Sequence, residues 1–155
     1  LGPLYHLTER ASRVEALTEA GRVVKPGGPV LVAAVSRFSS ALDGLVRHFL
    51  DDDAFVRLVE RDLRDGQHRS APERGRYFTT AYLHDPAELA GELADAGLTH
   101  EGTFAIEGPT WMLQDLAEQW EIPARRQKIL TLVRAIEQEP SLLGASGHLL
   151  AAGRA

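Results

Sequence analysis

The sequence predicts an α/β layered sheet, and three observations predict it. Amphipathic helical stripes alternate with short apolar runs along all 155 residues, the order expected when helices pack against a sheet. The clearest run, Pro29 to Val35 (PVLVAAV), is continuously apolar and partly β-branched, which suits a strand covered on both faces. Glycine and proline punctuate the elements at Lys25–Gly28, Gly66, Gly97 and Gly108–Pro109. The expected order is helix, strand, two inserted helices, helix, strand, two helices, strand. Only about three strands are visible in this pattern, few for an independent sheet with helices on both faces.

Thr8 is a good N-cap for the first helix, and after it Ala11, Val14, Leu17, Ala20 and Val24 recur at spacings of three and four. Lys25-Pro26-Gly27-Gly28 stops that helix, because Pro26 lacks the N–H that would continue the ladder and the glycines permit positive φ. The strand from Pro29 follows. Ser39 to Gly66 reads as two helices, one with the stripe Leu42, Leu45, Val46 and Phe49, the next with Phe55, Val59 and Leu63. Asp51-Asp52-Asp53 between them caps the second helix and complements its dipole, and Gly66 ends it. A metal at these aspartates is disfavoured, since consecutive helical residues cannot all face one ion. Asp65 to Thr80 has no periodicity and many turn formers, so it reads as a loop lying over other structure.

Asp85-Pro86-Ala87-Glu88 combines an N-cap, a proline at the first helical position and an acid three residues after the cap. It is the strongest local signal in the chain. The helix it starts runs through Leu89 and Leu93 to Gly97, and THEGTFAIEG then reads as a strand centred on Thr103 to Ile106. Two helices are expected from Thr110 to about Trp120 and from Pro123 to about Gln138, with a last strand in GHLLAAGRA.

Composition narrows the function classes. A formal charge of -5 argues against nucleic acid as a partner, because such binding rests on concentrated positive charge. The arginines between Arg57 and Arg76 are interleaved with acids and read as a solvated mixed-charge face. No apolar run approaches about 18 residues and no secretory pattern opens the chain, so no membrane partner and a cytoplasmic location are expected. The absence of Cys removes disulfides, thiolate zinc sites and cysteine nucleophiles. The six histidines are scattered without zinc-ligand or Ser-His-Asp spacing, so no metal is expected.

The stretch LGPLYHLTERASRVEALTEAGRVVKPGGPVLVAAVSRF, Leu1 to Phe38, resembles the second half of a class I S-adenosylmethionine-dependent methyltransferase. In that family a strand exit, a helix and a Lys/Arg-Pro-Gly-Gly turn lead into the fifth strand. Tyr77 to Leu98 is similar to the later helix leading into the sixth strand, and HLLAAGRA stands where the family has its seventh, antiparallel strand. The resemblance implies a Rossmann-like sheet of which residues 1–155 form a single partial domain, with helical lid insertions at about 39–66 and 110–138. The family's glycine-rich cofactor loop and ribose-binding acid have no counterpart here. The implied protein is therefore part of a longer enzyme that transfers methyl groups to a small-molecule substrate, and this chain alone is expected to be inactive. A non-catalytic binding or assembly module on the same fold, with homo-oligomerisation through an exposed sheet edge, is the competing reading.

The resemblance also implies residue roles. Gly2, Pro3 and Leu4 would lie beside S-adenosyl-L-methionine as cofactor-binding residues. Tyr5 and His6 would face the substrate, His6 as a possible base; alternatively the pair caps the next helix and packs beneath the inserts. Arg37 and Phe38 would stand at the carboxyl end of the sheet, where open α/β folds bind ligands, with an ion pair as the alternative for Arg37. His68, Arg76, Tyr77 and Tyr82 belong to a segment that would close the site, and Trp111, with Met112 and Trp120, forms either a pocket wall or core packing.

Overall fold

The computed structural model describes residues 4–69, 77 and 79–155. A 3₁₀ turn at Leu4–His6 leads into helix α1 (Arg10–Val23), strand β1 (Pro29–Ser36) and helix α2 (Ser39–Val46). After a 3₁₀ turn at Phe49–Asp51 come helix α3 (Asp53–Asp65) and strands β2 (Gln67–His68) and β3 (Ala81–His84). Helix α4 (Glu88–Asp95), strand β4 (Thr99–Ala105), a 3₁₀ turn at Gly108–Met112, helices α5 (Leu116–Glu121) and α6 (Pro123–Ile136), and strand β5 (His148–Arg154) complete the order.

The five strands form one open sheet in the order β2-β3-β1-β5-β4. Strand β1 pairs parallel with β3, while β1–β5, β4–β5 and β2–β3 are antiparallel. The fold is thus mixed α/β, with a mostly antiparallel sheet. Val30, Val32 and Ala34 of β1 share a face with Leu149 and Ala151 of β5, and Leu17 of α1 with Leu89 and Leu93 of α4 cover it. Each such leucine withdraws enough surface to stabilise the fold by about 1.5–3 kcal/mol. The opposite face carries Leu31, 56% exposed. Strand β3 meets β1 only at Val35 and Ser36, so the rest of that β1 edge has no strand neighbour among the described residues. No helix there is long and apolar enough to cross a membrane.

Several local expectations hold. The Asp52 side chain caps α3 by accepting from the backbone N–H groups of Ala54 (2.8 Å) and Phe55 (3.4 Å). Gly66 ends α3 at φ 71°, and a Cβ there would stand 2.4 Å from the Leu83 carbonyl oxygen. Only glycine meets both demands. Asp85 accepts from the Ala87 N–H (3.0 Å) and Glu88 from the Asp85 N–H (3.1 Å), so the two acids satisfy backbone donors as expected, but α4 begins at Glu88 rather than Pro86 and has no side-chain cap.

Other expectations are corrected. The first helix begins at Arg10 after Glu9, and Thr8 does not cap it. Its buried line is Arg13 and Leu17, with Ala20 and Val24 partly covered, whereas Ala11 is exposed. The expected stripes on α2 and α3 are displaced: Leu45 and Leu63 are exposed, and α3 buries Phe55, Leu58, Val59 and Asp62. The sheet has five strands rather than about three, because β2 and β3 arise inside segments read as a loop and the approach to a helix. At two and four residues they are too short to show a period-two pattern. The helix expected from Thr110 splits into the 3₁₀ turn and α5, and α6 stops at Ile136 rather than Gln138.

Candidate functional site

The carboxyl ends of β1 and β3, the amino end of β5 and helices α2 and α3 surround a cavity of about 450 Å³, within the range of small-molecule sites. Its position follows from the pairing: Val35 lies opposite Leu83 on one side and His148 on the other. Val35 and Leu83 line the floor, and the rings of Phe49, Phe55 and Tyr77 form an aromatic wall with centroids 4.9–5.7 Å apart. Trp111 closes another side, its indole N–H donating to the Ala145 carbonyl (2.9 Å). The Tyr77 hydroxyl donates to Asp52 (2.6 Å), so the cap of α3 also fixes the aromatic wall.

Two histidine–carboxylate pairs border this space. His68 on β2 holds Asp62 of α3 through Nδ1 at 2.7 Å, with both side chains buried. Asp62 follows Phe55 by two helical turns and lies three residues after Val59, so the helix places it on the apolar face. On the other side, the antiparallel β4–β5 pair continues past Ala105 and Leu149, and brings Glu107 against His148. Nδ1–H of His148 donates to Glu107 Oε1 (2.5 Å), and Oε2 accepts from the Ser146 hydroxyl (2.8 Å) and the His148 N–H (3.0 Å). Burial alone would push the Glu107 carboxyl up; the His148 and Ser146 donors outweigh it and hold it at about 2. The same hydrogen bond raises His148 above its ordinary value, against an opposing effect of burial. Ser40 Oγ, also on the lining, is buried and has no hydrogen-bond partner among the described residues.

A charged network lies on the other side of β3. The Arg13 guanidinium is 1% exposed; it donates to Glu92 (2.7 and 3.0 Å) and to the carbonyls of Leu7 and Thr8, and stacks 3.6 Å from the Tyr82 ring centroid. Glu92 also meets His84 Nε2 at 3.3 Å. Burial would raise the Glu92 carboxyl, yet the hydrogen bonds of His84 and Arg13 bring it down to about 2. Arg37 reaches Glu88 (2.7 Å) and the Tyr82 hydroxyl (3.0 Å), which itself donates to Glu88 (2.9 Å). Burial pushes the Tyr82 phenol up, and the bond to Glu88 adds to that.

Of the residues singled out from sequence, Tyr77, His68 and Trp111 therefore line the cavity. Tyr5 packs against Val35, Ala81 and Leu83 without lining the cavity, and His6 is exposed. Arg37 and Tyr82 belong to the network across β3, and Phe38 packs over Gly144, where a Cβ would stand 2.7 Å from its ring. Leu4 is buried in the main core. Gly2, Pro3 and Arg76 lie outside the described residues. Trp120 and Trp111 share a second hollow, of about 680 Å³, with α6. No group of three potential metal ligands occurs among the described residues. His148, Glu107 and Ser40 were not legible as site residues, since no short motif joins them. Comparison with protein-family models and with curated proteins finds no match.

Proposed function

We propose that the chain forms the acceptor-binding part of a class I S-adenosylmethionine-dependent methyltransferase, with the 450 Å³ cavity receiving a small molecule. The observation that carries this reading is the cavity's place at the carboxyl end of β1, the strand that follows the Pro-Gly-Gly turn. Open α/β sheets bind ligands at that end. The final strand β5, antiparallel to β1 and β4, agrees with the Rossmann-like arrangement that the sequence resemblance implies.

The described residues do not fit the methyl donor. Leu4 is consumed by the core, Gly2 and Pro3 are outside the described residues, and no glycine-rich loop opens a helix to receive the donor's carboxylate or ribose. The 155-residue chain is expected to bind S-adenosylmethionine weakly or not at all. A second reading, a non-catalytic binding or assembly module, draws its support from the β1 edge before Val35, which has no strand neighbour among the described residues.

Two measurements separate the readings. Calorimetric titration of the chain with S-adenosylmethionine should give no micromolar binding; such binding would overturn the assignment of the donor site elsewhere. Transfer of a labelled methyl group from S-adenosylmethionine to a small-metabolite panel, with the gene's complete product, should yield a methylated acceptor whose formation falls in Trp111→Ala. A complete product that transfers no methyl group leaves the binding module as the answer.

A further inference from the structure

We propose that the cavity takes a small aromatic molecule bearing an ionisable hydroxyl, a phenol, and that His148 is the group that meets the hydroxyl oxygen. The inference rests on reading the cavity as an acceptor-binding site and supplies the ligand's chemistry. It does not depend on the methyl donor.

The walls select the body of the ligand. Phe49, Phe55 and Tyr77 present ring edges and faces on one side and Trp111 closes another, a surrounding in which a flat apolar ring is held by offset or edge contacts. The polar atoms select its substituent. Glu107 is a carboxylate held by three donors, so it accepts and cannot donate; the proton between it and His148 resides on Nδ1. In the neutral ring Nε2 is then an acceptor, and it makes no hydrogen bond within the described residues. In the imidazolium the same atom donates.

A phenol matches both states. Its O–H donates to neutral His148, and its phenolate accepts from the imidazolium, so one proton moves along one hydrogen bond and the net charge of the site is unchanged. Ser40 Oγ, buried on the same lining without a partner, gains one when an oxygen enters; left unmade, such a bond costs about 1–3 kcal/mol. The remaining described charged groups around the space are already matched. Asp43 pairs with Arg47 on α2 at 2.6 Å, and His68 with Asp62 between β2 and α3. Among the described residues a permanently charged ligand would find no uncompensated partner, whereas a weak acid needs none.

The probe is para-nitrophenol, whose phenolate has its own visible absorbance, with nitrobenzene as the equivalent lacking the hydroxyl. The 155-residue chain should bind para-nitrophenol about tenfold more tightly than nitrobenzene, and the phenolate band should appear at a lower pH than for the free probe. His148→Gln should weaken para-nitrophenol about tenfold, remove the early phenolate band and leave nitrobenzene binding unchanged. Should that variant prove unfolded by circular dichroism, Ser40→Ala must weaken para-nitrophenol and spare nitrobenzene. Equal binding of the two probes overturns the phenol assignment while the cavity reading stands. Binding of neither overturns both, and para-nitrophenol binding indifferent to His148→Gln and Ser40→Ala overturns the roles given to those residues.

Discussion

Replacing Glu92 by Gln removes one charge from the network behind β3 and leaves its shape nearly intact. Its side chain is 2% exposed and bonded to Arg13 and His84, so no water replaces the lost charge. A carboxyl that titrates at an ordinary 4.5 when unfolded and at about 2 when folded, at about 1.36 kcal/mol for each pH unit, stabilises the native state by about 3 kcal/mol at neutral pH. Breaking one half of a buried ion pair carries a cost of the same size, about 3–5 kcal/mol, because the remaining cation stays buried. Arg13 keeps its bonds to the Leu7 and Thr8 carbonyls, which places the expected loss at the lower end.

The sign of the pH dependence follows from the direction of the shift. Glu92 is depressed, so its contribution is full above pH 4.5 and is lost as pH falls toward 2. Urea unfolding followed by circular dichroism should show E92Q less stable than the parent by about 3 kcal/mol at pH 7, with the gap closing in the acid range. The double variant Arg13→Met with Glu92→Leu should recover most of the loss, since apolar replacements of a buried pair are often neutral or better. A gap below about 1 kcal/mol at pH 7, or one that persists unchanged at pH 2.5, would refute the assignment of this pair as a buried, mutually dependent unit.

Gly44→Ala would place a Cβ 2.4 Å from Phe55 Cε1, and that ring is wedged between Phe49 and Tyr77, so a loss of about 1–3 kcal/mol should appear as a lower Tm; an unchanged Tm would show that α2 and α3 are not packed this closely. Because the bond to Glu107 is what raises His148, Glu107→Gln should move the His148 titration seen by NMR down toward its ordinary value. In the parent the contribution of the raised histidine is full below pH 6.5 and fades as pH rises through its folded value, and a midpoint indifferent to Glu107→Gln would remove the carboxylate as its cause.

Signals confined to a few neighbouring residues were legible in the sequence. The Asp85–Glu88 pair, the Asp52 cap, the Gly66 stop, β1 and β5 all announce themselves through residues within one turn or one strand. The candidate site is different, because its members come from separate elements. Glu107 and His148 meet across 41 positions of sequence, through the antiparallel register of β4 and β5, which no local pattern encodes. Asp62 is the instructive case. It sat in a stretch that reads as a solvated mixed-charge face, yet it is fully buried; its spacing from Phe55 and Val59 marks it as a polar residue on an apolar stripe. Its partner is His68, in a strand of two residues that no local pattern marks.

The buried charges also bear on how the cavity acquires its shape. Strand β3 is tied to β1 by only two residue pairs, a pairing too brief to fix its own register. Its side chains divide sharply: Ala81 and Leu83 face Val35, while Tyr82 and His84 face Arg13 and Glu92. A slip by one residue would exchange the two sets, placing Leu83 against a buried ion pair and a phenol on the cavity floor. The first would cost Glu92 its His84 hydrogen bond and Arg13 its stacking on Tyr82, and a buried hydrogen bond left unmade costs about 1–3 kcal/mol. The network thus discriminates against the slipped register from behind the strand, and the apolar floor in front of it, with the docking of Gly66 against Leu83, follows from that choice.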